Sequence, residues 1–281
     1  METTYSKRSV VSADGTVVGY RQMGGGPAVV LVHGSMLAAQ HLTELAAALA
    51  DEFTVIVPDR RGRGLSGPHG PDFGIEREVE DLQALMKEAG AARVFGLSSG
   101  ALVALRTAAV TPAIEKLALY EPPLSVNGSV PVAWAARYRR EIVAGRTAAA
   151  LATVLKGLQV EPAFNVVPRF ALVPLLTLGL RAEQNKNDVP MADLIPTMSA
   201  DLGLVEQVAD TTKDYAAVDA EVLLLEGSKS PAYFGLALDE LSAVLPRSSR
   251  RVLPKLDHSA PTDGGKPEVV ADVLRGIFSP A

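Results

Sequence analysis

Six short apolar runs, separated by stretches of helical periodicity, constrain the fold of this chain more than any other feature. They lie at 28–32, 54–57, 93–97, 115–120, 221–225 and 250–253. A strand buried on both faces shows no polar side, so it reads as an unbroken apolar run, not an alternation. Between the runs, 40–51, 75–89, 99–110, 233–245 and 267–278 carry apolar residues at the spacing of one helix face. Strand–helix alternation of this kind demands right-handed crossovers and a parallel sheet covered on both faces. Upstream, 9–13 and 16–23 read as two strands joined at Asp14-Gly15, a tight hairpin signal. Gly24-Gly25-Gly26-Pro27 then breaks the chain before the third strand. The pattern predicts an α/β fold: an eight-stranded, mostly parallel sheet flanked by helices, with the hairpin at one edge.

One region departs from this pattern. Residues 122–212 hold no convincing strand and read as helices at 132–144 and 147–158, a proline-broken apolar piece at 168–180, and 191–210. The chain therefore divides into a core of residues 1–121 and 213–281 and a helical insertion of residues 122–212 after the sixth strand. Sites in α/β sheets lie at the C-terminal ends of strands, so an insertion there is expected to cover the site as a lid.

Bulk composition narrows the function. A formal net charge of −5 speaks against nucleic-acid binding, which rests on a basic surface. The local cluster Arg60, Arg61 and Arg63 sits among glycines and is read as partners for nearby carboxylates. With no cysteine, disulfides, thiolate catalysis and thiolate-bound metals are excluded. Residues 1–11 lack the apolar core of a signal peptide, and the most apolar stretch, 170–180, is too short to span a membrane and contains Pro174. A cytoplasmic protein with no membrane partner is expected.

Gly96-Leu97-Ser98-Ser99-Gly100 is G-x-S-x-G. The pattern is short, and its context gives it weight. An apolar strand runs in and an alanine-rich helix runs out, the setting in which a sharp turn lifts a serine above the sheet. The glycines leave room for that turn, and the helix N-terminus favours developing negative charge. Ser98 is thus the candidate nucleophile. Of four histidines, His33 ends a strand, His41 lies on a helix and His69 sits in a Pro/Gly loop. His258 follows the last strand, where the loop returns to the edge that carries Ser98, and is the candidate base. His33 and Asp59 are read as shaping their loops.

With these residues in place, the chain resembles the α/β-hydrolase superfamily over nearly its whole length. The matching pieces are His33-Gly34, the segment from Pro58-Asp59-Arg60-Arg61-Gly62 to Ser66, the turn at Ser98, and His258. The resemblance implies the α/β-hydrolase fold and a Ser–acid–His order along the chain. Where most relatives carry an Asp after the seventh strand, this chain reads Gly227-Ser228-Lys229-Ser230-Pro231, with Ser230 at the acid's place. Three carboxylates remain in view: Glu226, Asp257 beside His258, and Glu121 at the end of the sixth strand in Tyr120-Glu121-Pro122-Pro123. Some members carry the acid after the sixth strand. Similar zearalenone-lactone hydrolases have a Ser-Ser-Gly turn followed by His-Glu-Leu-Pro, which implies Glu121. An alternative role for Glu121 is an ion pair with an insertion arginine such as Arg137.

The same resemblance implies an oxyanion hole from the amide of Ser99 and that of Ser35, with Met36 as second choice. Met36, Trp134 and Tyr138 are candidate pocket residues; these two aromatics, with Phe164 and Phe170 of the insertion, either line a lipophilic pocket or form the insertion's own core. The expected activity is a serine esterase or lactonase, cleaving a small apolar ester or lactone through an acyl-enzyme, with no metal and no cofactor. Thioester cleavage, acyl transfer or cyclisation by the same triad, and a receptor-like ligand binder, stay open as alternatives. A homodimer is left open.

Overall fold

In the computed structural model, which describes residues 5–160, 162–183 and 188–279, eight strands form one sheet. They are β1 (Ser6–Val11), β2 (Val17–Gly24), β3 (Ala28–Val32), β4 (Thr54–Pro58), β5 (Arg93–Leu97), β6 (Lys116–Tyr120), β7 (Glu221–Gly227) and β8 (Ser248–Leu253). Their spatial order is β1-β2-β4-β3-β5-β6-β7-β8. β2 pairs antiparallel with β1 and β4, and every other pairing is parallel. The C-terminal ends of β3, β5, β6 and β7 therefore share one edge of the sheet, and the site is built there.

Alternation along the central strands splits their side chains between two cores. Val30 and Val32 join one core with Leu82 and Leu85 of α2 (Ile75–Ala89), Leu102 and Leu105 of α3 (Ser99–Val110) and Leu238 of the helix Ala232–Val244. Val29 and Leu31 join the other with Leu45 and Leu49 of α1 (Thr43–Leu49) and Leu274 and Phe278 of the helix Pro267–Phe278. Each such leucine or valine, fully buried, contributes about 1.5–3 kcal/mol. This is why strands in the middle of the sheet read as unbroken apolar runs. The run at 250–253 was expected to be such a strand. It instead forms the outer strand β8, with Arg250, Arg251 and Val252 exposed and only Leu253 of that run buried.

Among the described residues, the insertion between β6 and β7 is helical. It comprises α4 (Ala135–Val143), α5 (Thr147–Leu158), α6 (Pro162–Val166), α7 (Arg169–Glu183), α8 (Met191–Leu194) and α9 (Met198–Gln207). Trp134, Tyr138, Leu151, Val154, Ile195, Met198 and Leu202 pack into a core of its own. Two details differ from the sequence reading. The segment 191–210 divides, because Pro196 tightens the chain into a 3₁₀ turn, Ile195–Thr197, between α8 and α9. The piece around Pro174 is a continuous helix, because the carbonyl that Pro174 leaves unbonded belongs to Phe170, which is 81% exposed to solvent. The two remaining helices are α10 (Ala232–Val244) and α11 (Pro267–Phe278). Among the described residues no helix is long and apolar enough to cross a membrane.

Candidate active site

β5 delivers Ser98 on a strained turn. The residue has φ 54° and ψ −124°, a region that L side chains rarely adopt, and its amide is held by the carbonyl of Tyr120 at 2.9 Å. The turn is possible because its neighbours lack side chains. A Cβ on Gly96 would lie 2.5 Å from Ala101 Cα, and one on Gly100 would lie 2.4 Å from the carbonyl oxygens of Val32 and His33. Met36 (φ 53°), in the loop after β3, and Glu121 (φ 50°), directly after β6, also have positive φ. Each such residue costs about 1–3 kcal/mol and persists only where its surroundings over-determine it. Three of them at the C-terminal edge of the sheet mark one place where this fold stores strain.

β6 delivers Glu121. Its side chain is fully buried, yet both carboxylate oxygens are satisfied. Gly227 N–H donates to Oε1 at 2.6 Å, and His258 Nδ1 donates to Oε2 at 2.5 Å. The other candidate acids are engaged elsewhere: Glu226 by Arg250 at 2.6 Å, and Asp257 Oδ1 by the Ser259 hydroxyl at 2.7 Å. Arg137, the alternative partner of Glu121, pairs with Glu141. Two contacts that no sequence signal pointed to fix the histidine. Phe234 of α10 stacks on its ring, centroids 4.6 Å apart and planes 11° apart, and Tyr120 Oη donates to the carbonyl of Asp257 at 2.7 Å. With Nδ1 turned to Glu121, Nε2 is the free nitrogen of the ring.

The loop after β3 crosses in front of Ser98, where a Cβ on Gly34 would lie 2.9 Å from Ser98 Cβ. Ser35 follows, and its hydroxyl donates to Ser99 Oγ at 3.1 Å. The loop's shape comes from His33 and Asp59. His33 accepts the Arg60 amide at Nε2 (3.2 Å) and so carries its proton on Nδ1, which donates to the carbonyl of Gly34 at 2.9 Å. Burial, with Arg63 and Arg60 beside it, holds His33 well below its ordinary value, so it stays neutral. Asp59 accepts the amides of Ala39 (2.8 Å) and Leu65 (3.0 Å). The three arginines are buried and each faces carboxylates: Arg60 with Glu78 and Asp201, Arg61 with Asp81 and Asp14, Arg63 with Asp201.

Ser98 and His258 line a cavity of about 360 Å³. Its floor is the core, with Ser35, Met36 and Leu97, and its roof is the insertion, with Leu151, Leu155, Leu158, Phe164 and Leu176. None of its described lining residues is Asp, Glu, Lys or Arg. A smaller lobe of about 30 Å³ adjoins it, also bounded by Ser98 and His258, and Trp134 lies there. Two of the insertion aromatics lie outside the cavity. Tyr138 lines neither space; its hydroxyl needs acceptors and finds them in the insertion core, the carbonyls of Ile195 (2.7 Å) and Pro196 (3.1 Å). Phe170 lines neither space and faces solvent on the outside of α7. Among the described residues no cluster of three or more His, Asp or Glu could hold a metal ion.

This sheet order, the strained serine turn and the buried acid–histidine pair together define an α/β-hydrolase architecture. The model of the alpha/beta hydrolase family matches residues 29–273, and the chain belongs to that family. It is similar to an alpha/beta hydrolase from Sphaerobacter thermophilus, at 32% identity and a TM-score of 0.78, over 97% of this chain and 100% of that one. It shares 36% identity over 132 residues with the N-formylmaleamate deformylase of Pseudomonas putida, 45% of this chain and 49% of that protein. It also shares 36% identity over 83 residues with the cis-3-alkyl-4-alkyloxetan-2-one decarboxylase of Shewanella oneidensis, 28% of this chain and 26% of that protein. The chain thus spans half or less of the length of these curated relatives.

Proposed function

We propose that this protein is a serine hydrolase that cleaves a carboxylic ester or lactone of a small apolar molecule through an acyl-enzyme. The observation that carries the reading is the 2.5 Å contact between His258 Nδ1 and the buried Glu121 carboxylate, at a cavity that also exposes Ser98 on its strained turn. His258 Nε2 takes the Ser98 proton as Oγ attacks the carbonyl. The Glu121 carboxylate holds the Nδ1–H tautomer and stabilises the imidazolium. The amides of Ser35 and Ser99 receive the oxyanion, with the N-terminus of α3 behind Ser99. His258 then protonates the leaving oxygen, and water releases the acyl group by the same route.

The substrate class follows from the lining. A charged substrate would enter a site with no opposite charge to replace its water, at a cost of several kcal/mol. An aliphatic acyl chain or lactone ring gains about 25 cal/mol per Å² of apolar surface it buries there. In this reading residues 122–212 act as a lid whose helices α5–α7 form the roof. The deformylase and the decarboxylase to which the chain is similar carry out different reactions, and neither reaction is assigned to it.

The test is reaction with a fluorophosphonate probe, read by intact mass, on wild type and Ser98→Ala, followed by p-nitrophenyl esters from acetate to octanoate and a lactone panel. Labelling of wild type alone, with turnover that favours the longer uncharged acyl chains, is the expected result. A wild type that does not label, or a Ser98→Ala variant that labels equally, overturns the proposal.

A further inference from the structure

The charge cluster beneath Ser98 does more than anchor the insertion. It ends on the side chains of the two residues whose amides would receive the oxyanion. Ser35 Oγ donates to Ser99 Oγ at 3.1 Å, and Ser99 Oγ donates to Asp201 Oδ1 at 3.1 Å. Arg60 Nη1 donates to Ser99 Oγ at 2.9 Å, to Asp201 Oδ1 at 3.0 Å and, more weakly, to the carbonyl of His33 at 3.4 Å. The other edge of Arg60 grips Glu78 with two bonds, at 3.0 and 2.9 Å, and Arg63 completes the cluster on Asp201 Oδ2. Arg60, Arg63, Glu78, Ser99 and Asp201 are each no more than 3% exposed. The two positive and two negative charges balance.

Four chain segments meet at one hydroxyl. Ser99 Oγ has one proton and two lone pairs, and all three are used. Because its proton goes to Asp201, its lone pairs face Arg60 and Ser35. The Ser35 hydroxyl is therefore held to Ser99, which pins the loop after β3 to the first turn of α3. Met36, the next residue, is held at φ 53°, a conformation that relaxes unless neighbouring contacts fix it. We infer that Asp201 of the insertion and Arg60 of the core are positioning residues: through Ser99 Oγ they set the distance between the two oxyanion donors. The inference rests on the acyl-transfer reading of the site. It makes the correct docking of α9 a condition for full turnover, although α9 contributes no group to the reacting atoms.

Three variants test it: Ser99→Ala, which removes the node and keeps both ion pairs; Ser35→Ala, which removes the last link; and Asp201→Asn. Asp81→Asn, which breaks the separate pair with Arg61, controls for lost stability alone. Turnover of p-nitrophenyl butyrate is normalised to the sites titrated by a fluorophosphonate, and affinity is measured for a trifluoromethyl ketone that forms the tetrahedral adduct. Ser99→Ala and Ser35→Ala are expected to lose ~10–100-fold in kcat per titrated site, less than the ~10²–10³ for deleting a donor outright, with KM within threefold. Their affinity for the ketone falls by the same factor as kcat. Asp81→Asn lowers the melting temperature and leaves kcat unchanged. If Ser99→Ala keeps kcat and ketone affinity within twofold of wild type, the cluster is only a structural tie and the inference fails, while turnover by wild type leaves the hydrolase reading standing. A wild type that neither labels nor turns over fails both. If Asp201→Asn does not fold, the two serine variants decide the outcome.

Discussion

Replacing Glu121 with glutamine changes one atom's chemistry at a site where the structure allows a single outcome. The native carboxylate accepts twice, from Gly227 N–H at 2.6 Å and from His258 Nδ1–H at 2.5 Å. A glutamine side chain has one acceptor oxygen and one NH₂. The Gly227 amide belongs to the backbone of β7 and cannot turn away, so the oxygen is expected to go there. The NH₂ then faces His258 Nδ1 and forces that nitrogen to accept. The ring's proton moves to Nε2, and Nε2 can no longer take the Ser98 proton. Trapping the wrong tautomer in a triad costs ~10⁴ in kcat, which at about 1.4 kcal/mol per decade is about 5.5 kcal/mol of transition-state stabilisation. KM is expected to stay within a few-fold, because Glu121 lines neither cavity. Steady-state hydrolysis of p-nitrophenyl butyrate and the second-order rate of fluorophosphonate labelling measure both quantities. A Glu121→Gln variant within tenfold of wild-type kcat would refute the reasoning, most sharply if Glu226→Gln or Asp257→Asn were the damaging change.

Gly100→Ala places a methyl 2.4 Å from two backbone carbonyl oxygens, of Val32 and His33, so the first turn of α3 must shift; labelling at Ser98 should slow by ~10² or more, and an unaffected labelling rate would contradict the packing. Tyr138→Phe leaves the buried carbonyl of Ile195 short of a donor and removes the weaker bond to Pro196; urea unfolding should show a loss of about 1–3 kcal/mol with KM unchanged, and a large KM change would return Tyr138 to the substrate's path. Leu158 borders both lobes, so Leu158→Trp should reduce kcat/KM for the octanoate ester ~10-fold or more while sparing the acetate, within the range that apolar pockets discriminate; equal losses for both would argue against an acyl chain there. His33, His41 and His69 are all held below their ordinary 6.5, each chiefly by burial. Their stabilising effect is complete above pH 6.5 and is lost as pH falls, because the unfolded chain takes up protons the folded one refuses, at up to about 1.4 kcal/mol per pH unit for each. Asp263, pushed up to about 6 by burial and then by Glu44, acts in the opposite sense: its contribution declines as pH rises from the ordinary carboxylate range to about 6. Urea unfolding from pH 8 to 5 should therefore show falling stability in wild type, and Asp263→Asn should gain at pH 7–8 relative to pH 4–5. A wild type that becomes more stable from pH 6.5 to 5 would contradict the histidine assignments.

What could be read from the sequence alone was local. Unbroken apolar runs marked the central strands β3 to β7 because burial on both faces leaves no polar position, and α2, α3, α5 and α11 began and ended where their periodicity did. The turn at Ser98 was legible because its strain demands small neighbours in a fixed order, and the absence of an acid at Ser230 turned attention to Glu121. Other features were beyond the sequence because they depend on contacts between distant segments. Position in the sheet made 250–253 an edge strand, where Arg250 and Arg251 reach solvent. Whether an insertion aromatic faces the cavity, the insertion core or solvent depends on how α4 to α9 dock, and this separated Trp134, Tyr138 and Phe170. The hold of Phe234 and Tyr120 on the His258 loop, and the convergence of Arg60, Asp201 and Ser35 on one hydroxyl of Ser99, join residues from 24 to 141 positions apart. Periodicity and turn chemistry act over a few residues, so they place each group on an element; only the packed sheet and the docked insertion decide which groups meet.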